Sequence, residues 1–149
     1  MPPSPQLVLI DDRLLIEELL VGLAKGRRIV LQTTFSWYYR ACRAAVLGAG
    51  GQLSGPFEQL EREEQEQAIL SLLELRGDIL LPDPRATVPR MARIAKHHPR
   101  LNLLNLEAVA VAQHLRGTLW LSPEAAGGVL PAVLDQEHVA WKAVTIHAD

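Results

Sequence analysis

Asp11, Asp12, Glu107 and Glu124 are the acidic positions whose surroundings suit metal chemistry. The hydrophobic run LVLI ends in Asp11 and Asp12. Glu107 is the only acid on the alanine-rich stretch LNLLNLEAVAVAQHLRGTLWLS that follows Arg100, and Glu124 comes just beyond Ser122, where that stretch ends. Magnesium and manganese prefer carboxylate and water oxygens, and a few direct carboxylates suffice to hold them. Asp11, Glu107 and Glu124, with Asp12, are therefore a sufficient ligand set if the fold gathers them. Each acid also has a structural reading. Asp11 and Asp12 suit the start of a helix as caps. Glu107 can complement a helix dipole or bond to Asn102 and Asn105, and Glu124 follows Pro123 at a helix start, where acids are common.

A second group has the composition of an RNA grip. The run Phe35-Ser36-Trp37-Tyr38-Tyr39-Arg40, with Arg43 beyond, interleaves aromatic rings with cations. Stacking on rings and pairing with phosphates is how single-stranded RNA is commonly held, which makes Trp37, Arg40 and Arg43 candidate substrate contacts. Helical spacing cannot expose all of them, so part of the run must pack into the core. Ser122 could bond a carboxylate or a phosphate. Arg85, Arg90, Arg93, Lys96 and Arg100 make another stretch basic, either a solvated face or a surface for RNA or an acidic partner peptide. His97 and His98 are adjacent, and His114, His138 and His147 share no ligand spacing with them, which argues against zinc. The glycines of GAGGQLSG follow a predicted helix rather than a strand, so they do not form a dinucleotide fingerprint.

Strands must alternate with helices to bring these residues together. Residues 6–10 predict a buried strand. Asp11 or Asp12 then caps a helix over about 13–25 that stops at Gly26. Residues 29–32 predict a second strand, and Thr33 and Thr34 are cap candidates for a helix through about Leu47 that ends at Gly48. After the glycine-rich loop 48–55, Pro56 is placed to open a helix that runs to Gly77, with Glu58, Glu61, Glu63, Glu64 and Glu66 near its positive end. A strand at 79–81 comes next, then a helix opened by Asp83 and Pro84 that runs to about His97 and is interrupted by Pro99. The Glu107 helix, a strand at 118–121, a short helix near 123–134 and a last strand within 138–146 complete the alternation. This pattern predicts a three-layer α/β/α fold around a mainly parallel sheet, and ligands of such sheets bind outside the carboxyl ends of the strands. Asp11, Asp12, Ser122 and Glu124 all fall at that edge.

The bulk properties agree with one globular unit. At 149 residues, 48% hydrophobic and 21% charged, the chain can bury a core without staples, and the expected division is a flexible lead at 1–6 followed by a single domain at 7–149. A formal net charge of −2 disfavours nonspecific attraction of nucleic acid over the whole surface. The single cysteine, Cys42, reads as a small buried hydrophobe, and the composition fits a reducing, cytoplasmic setting. The first residues, MPPSPQ, lack the features of a secretory signal, and no window approaches the roughly 18 apolar residues of a membrane span.

EAVAVAQHLRGTLWLS and LVLIDDRLL together resemble the PIN domains, compact α/β metal-dependent nucleases that include bacterial toxins of toxin-antitoxin pairs. The resemblance spans most of the chain. It implies that Asp11 is the first site aspartate and that Glu107 stands where an aspartate is usual. It also implies hydrolysis of an RNA phosphodiester with Mg²⁺ or Mn²⁺, in which Asp11 is the principal ligand, Glu107 a ligand or water orienter, and Asp12 or Glu124 an auxiliary. An RNA substrate, an antitoxin-like protein partner and a homodimer would follow. The chain departs from the family pattern in two places. The glutamate expected after the second strand is missing, because no Asp or Glu lies between Arg28 and Phe57, and the acid expected after the fourth strand falls on Pro123, with Glu124 displaced by one. An incomplete acidic site leaves an alternative from another class: a catalytically inactive PIN-like module that binds RNA or a protein. A doubly wound nucleotide-binding module ranks below both, for want of a phosphate loop.

Overall fold

The computed structural model describes residues 4–22, 24, 26–47 and 60–145. Strands β1 (Gln6–Ile10), β2 (Ile29–Gln32), β3 (Thr118–Leu121) and β4 (Trp141–Ala143) form one parallel sheet in the order β2-β1-β3-β4. The helices are α1 (Asp12–Val21), α2 (Phe35–Leu47), α3 (Arg62–Leu73), α4 (Pro84–His97), α5 (Leu103–Leu115), α6 (Pro123–Ala126) and α7 (Leu130–Gln136). The three-layer arrangement expected from the alternating pattern is present.

The pleat sorts the core into two layers. Val8 and Ile10 of β1, Leu31 of β2 and Trp120 of β3 pack on one face with buried residues of α1, α2 and α3. Leu9, Leu119 and Leu121 point to the other face, against α4, α5 and α7. Both faces are apolar because parallel strands are covered on both sides. Each fully buried leucine or isoleucine removed from water contributes on the order of 2 kcal/mol. Val109 and Val111 of α5 are buried on the second face, and Ala108, Ala110 and Ala112 between them let the helix lie close to the sheet. Gly117, between α5 and β3, permits another close approach: a Cβ there would sit 2.7 Å from the Leu7 carbonyl oxygen.

Some boundaries differ from the sequence expectation. Helix α1 stops at Gly22, which takes the left-handed conformation (φ 89°) that glycine adopts without steric cost, rather than continuing to Gly26. The expected strand at 79–81 is reduced to one parallel bridge between Gln32 and Leu80, which places this segment outside β2. Pro82 follows at once and ends any longer ladder. The expected helix at 123–134 is two helices, interrupted at Gly127 and Gly128. The glycine-rich loop 48–55, the helix start at Pro56, the stop at Gly48, the first three residues of the expected lead, Lys25 and the far end of the last expected strand lie outside the described residues. No helix among the described residues is long and apolar enough to cross a membrane.

Candidate functional site

The chain leaves β1 for β2 on one side and later returns to β3 on the other, so the crevice at the carboxyl edge opens between β1 and β3. Parallel register sets Ile10 beside Trp120, so that Asp11, the residue after Ile10, meets Ser122, two residues beyond Trp120. Asp11 is fully buried. One carboxylate oxygen, Oδ1, accepts from the Leu14 backbone N–H at 2.9 Å and caps α1. The other, Oδ2, accepts from the Ser122 backbone N–H at 2.8 Å and from its hydroxyl at 2.6 Å. Burial pushes the Asp11 pKa up, and these bonds oppose that shift. The Thr33 hydroxyl donates to the Ile10 carbonyl at 2.9 Å and ties the end of β2 to the same edge.

Asp12 begins α1 and is 7% exposed. Its Oδ1 accepts from the Arg13 N–H at 2.9 Å. Its Oδ2 faces Arg40 Nε at 3.2 Å in an ion contact, and among the described residues nothing donates a hydrogen bond to this buried oxygen. Burial, reinforced by the charge of Asp11 and opposed by Arg40, raises the Asp12 pKa to about 6. Glu124, on α6, is exposed, and its carboxylate lies 3.6 Å from the Arg13 guanidinium, which also reaches Glu17 at 3.7 Å. Arg13, Arg40, Asp12, Glu124, Ser122, Asn102 and Asn105 share the lining of a cleft of about 230 Å³, to which Trp37 also contributes.

Glu107 finds its partners on another helix rather than its own. It lies in the second turn of α5, whose N-cap is Asn102 accepting from Asn105 N–H at 2.9 Å, so Glu107 bonds neither asparagine. Its Oε2 accepts from Phe35 N–H and its Oε1 from Ser36 N–H, each at 2.9 Å. The carboxylate thus closes the N-terminus of α2, where free amides and the helix dipole favour an anion. Thr34 completes that terminus by accepting from Trp37 N–H at 3.0 Å, as its cap position in the sequence suggested.

The aromatic run divides by helical face. Trp37 is 2% exposed and packs in the core with α5, so its ring is not free to stack on a base. The half-buried Tyr38 donates its hydroxyl to the Leu72 carbonyl at 2.8 Å and joins α2 to α3. Phe35 (44% exposed) and Tyr39 (64%) are open to solvent. Arg40 and Arg43 are also exposed. Phe35, Tyr39 and Arg43 recur every four residues and share one helical face.

As arranged, the donors do not fit a dication. Among the described residues no three His, Cys, Asp or Glu side chains are placed to hold a metal ion. Asp11 is fully engaged with α1 and Ser122, Glu107 with α2, and Asp12 and Glu124 each face a guanidinium. The carboxyl edge does assemble Asp11, Asp12, Ser122 and Glu124, but Glu107 and Asp11 do not line the cleft. Arg13 and Arg40, as partners of the acids, were not legible in the sequence. Neither was Glu18, a second buried acid at the far end of α1, which pairs with Arg76 at 2.9 Å and accepts from Ala24 N–H at 2.7 Å.

No family model matches this sequence, and no curated protein does. Among solved structures, a chain in the structure of VapBC-1 from nontypeable Haemophilus influenzae is similar over 92% of this chain and 97% of its own, with a TM-score of 0.54 and 13% sequence identity. The shared architecture is the PIN-like fold: three layers around a parallel sheet.

Proposed function

We propose that this chain is a PIN-like RNA-binding module that works without metal-dependent hydrolysis. The observation that carries the reading is Glu107, which has both carboxylate oxygens committed to backbone amides of α2 rather than directed into the cleft. The acids that line the cleft, Asp12 and Glu124, each face a guanidinium, which weakens their pull on a dication. RNA binding is supported by the exposed face of α2, where Phe35 and Tyr39 give stacking platforms and Arg43 a phosphate contact, beside Arg40 at the cleft mouth. The exposed Arg85, Arg93, Lys96 and Arg100 extend the cationic surface along α4 and beyond it. An antitoxin-like protein or a second copy of the chain is a companion proposal, supported by the exposed apolar side chains of Leu103 and Val129.

A toxin-type ribonuclease is the second reading, favoured by the meeting of Asp11, Asp12, Ser122 and Glu124 at one sheet edge. Fluorescence anisotropy with a single-stranded RNA, in EDTA and in Mn²⁺, separates the two when run beside a cleavage gel. The binding module keeps its affinity in EDTA and leaves the RNA intact in Mn²⁺. Cleavage that requires Mn²⁺ and vanishes with Asp12→Asn would establish the nuclease instead.

A further inference from the structure

We infer that Arg40 is the resident countercharge of the carboxyl-edge cleft: its guanidinium takes the position from which a divalent cation would otherwise neutralise Asp12, and so makes the cleft independent of metal. The inference rests on the metal-free reading above and assigns its cause to one side chain. Asp12 is buried, and among the described residues no backbone or side-chain group donates a hydrogen bond to its Oδ2. The charged group that faces it is Arg40, at 3.2 Å, reaching across from α2. Half of the Arg40 side chain remains exposed, so this pair stands at the cleft wall rather than inside the core.

The second ion pair has the same logic. Glu124 is held by Arg13 at 3.6 Å, and all four side chains line one cleft. Each carboxylate that lines the cleft faces a guanidinium, and a fixed cation close to Asp12 Oδ2 repels a dication directly. Arg40 is the partner whose removal matters more, because Asp12 is buried while Glu124 is exposed and can be hydrated. Replacing Arg40 with glutamate adds a third carboxylate to the lining that Asp12 and Glu124 share. Three carboxylates and an open cleft are the chemistry of a hard-cation site.

Mn²⁺ is the probe, read by electron paramagnetic resonance and titration calorimetry on the wild type, Arg40→Glu, Arg40→Gln, and Arg40→Glu combined with Asp12→Asn, each checked for fold by circular dichroism. We expect no binding by the wild type at millimolar metal. Arg40→Glu should bind with a dissociation constant on the order of 10⁻⁴ M, the range of weak oxygen-ligand sites. Binding should be lost again in the double variant. Arg40→Gln keeps the test open should the added carboxylate impair folding, and should bind more weakly than Arg40→Glu but more tightly than the wild type. If both folded Arg40 variants bind no more Mn²⁺ than the wild type, Arg40 is not what excludes metal and the inference fails while the metal-free reading stands. If the wild type itself binds Mn²⁺ through Asp12, both fail.

Discussion

Glu107 and Ser36 lie 71 positions apart in sequence, yet the carboxylate of one accepts the backbone N–H of the other at 2.9 Å. With its second oxygen on Phe35 N–H, Glu107 is the anchor that fixes the start of α2 against α5. Loss of both charge-assisted bonds in Glu107→Ala should destabilise the fold by roughly 2–4 kcal/mol. Glu107→Gln, which keeps an acceptor, should cost less than half as much. Urea unfolding of the three proteins measures both, and equal stability of wild type and Glu107→Ala would remove the anchoring role.

Asp12 makes stability depend on pH in an unusual direction for an acid. Its pKa is raised to about 6 in the folded protein, above the ordinary aspartate value of the unfolded chain. The folded state therefore binds a proton more readily, and stability rises as pH falls from above 6 toward 4. In this window Asp12 should contribute on the order of 3 kcal/mol, fully present below the unfolded value and lost as pH rises through about 6. Asp12→Asn should flatten that part of the profile. Chemical denaturation at pH 4.5 and pH 7.5 is the check; a wild type and variant with parallel profiles would show that Asp12 titrates normally.

Several elements were legible because their signals are local. An apolar run ending in Asp11, with Leu14 just beyond, reads as a strand followed by a capped helix, and Asp83-Pro84 reads as a helix start; both are observed. The strand at Thr118–Leu121 follows the glycine that lets it approach β1. The partner of Glu107 was hidden, because a bond across 71 positions leaves no periodicity in the sequence, and Arg40 beside Asp12 was hidden for the same reason. The acids were visible as acids, but whether they face a metal, a guanidinium or a helix end is settled only by tertiary placement. The bridge at Leu80 looked like a strand because three apolar residues precede Pro82, whereas β2 supplies only Gln32 as its partner there.

Trp37 and Tyr39 should behave as opposites although they are near neighbours. Trp37 is buried with α5, and Trp37→Ala should cost roughly 3–5 kcal/mol of stability. Tyr39 is exposed, and Tyr39→Ala should leave the melting temperature within about 2 °C while weakening single-stranded RNA binding about tenfold, the effect of one lost stacking contact. Thermal melts paired with RNA anisotropy separate the two effects. Unchanged RNA affinity in a Phe35→Ala, Tyr39→Ala double variant would eliminate this face of α2 as the RNA contact.

The Asp11–Ser122 pair should couple strongly because the Ser122 hydroxyl donates at 2.6 Å to a carboxylate with no exposure. Ser122→Ala removes that bond but keeps the backbone N–H contact at 2.8 Å, and should cost roughly 1.5–3 kcal/mol. Asp11→Ala also strips the cap from α1 and leaves the serine hydroxyl buried without its acceptor, so its cost should be larger. Once Asp11 is gone, removing the Ser122 hydroxyl should cost almost nothing. A double-mutant cycle by chemical denaturation should therefore return a coupling of roughly 1–3 kcal/mol. A coupling near zero would mean that the two residues contribute independently and that the β1–β3 edge is held by backbone pairing alone.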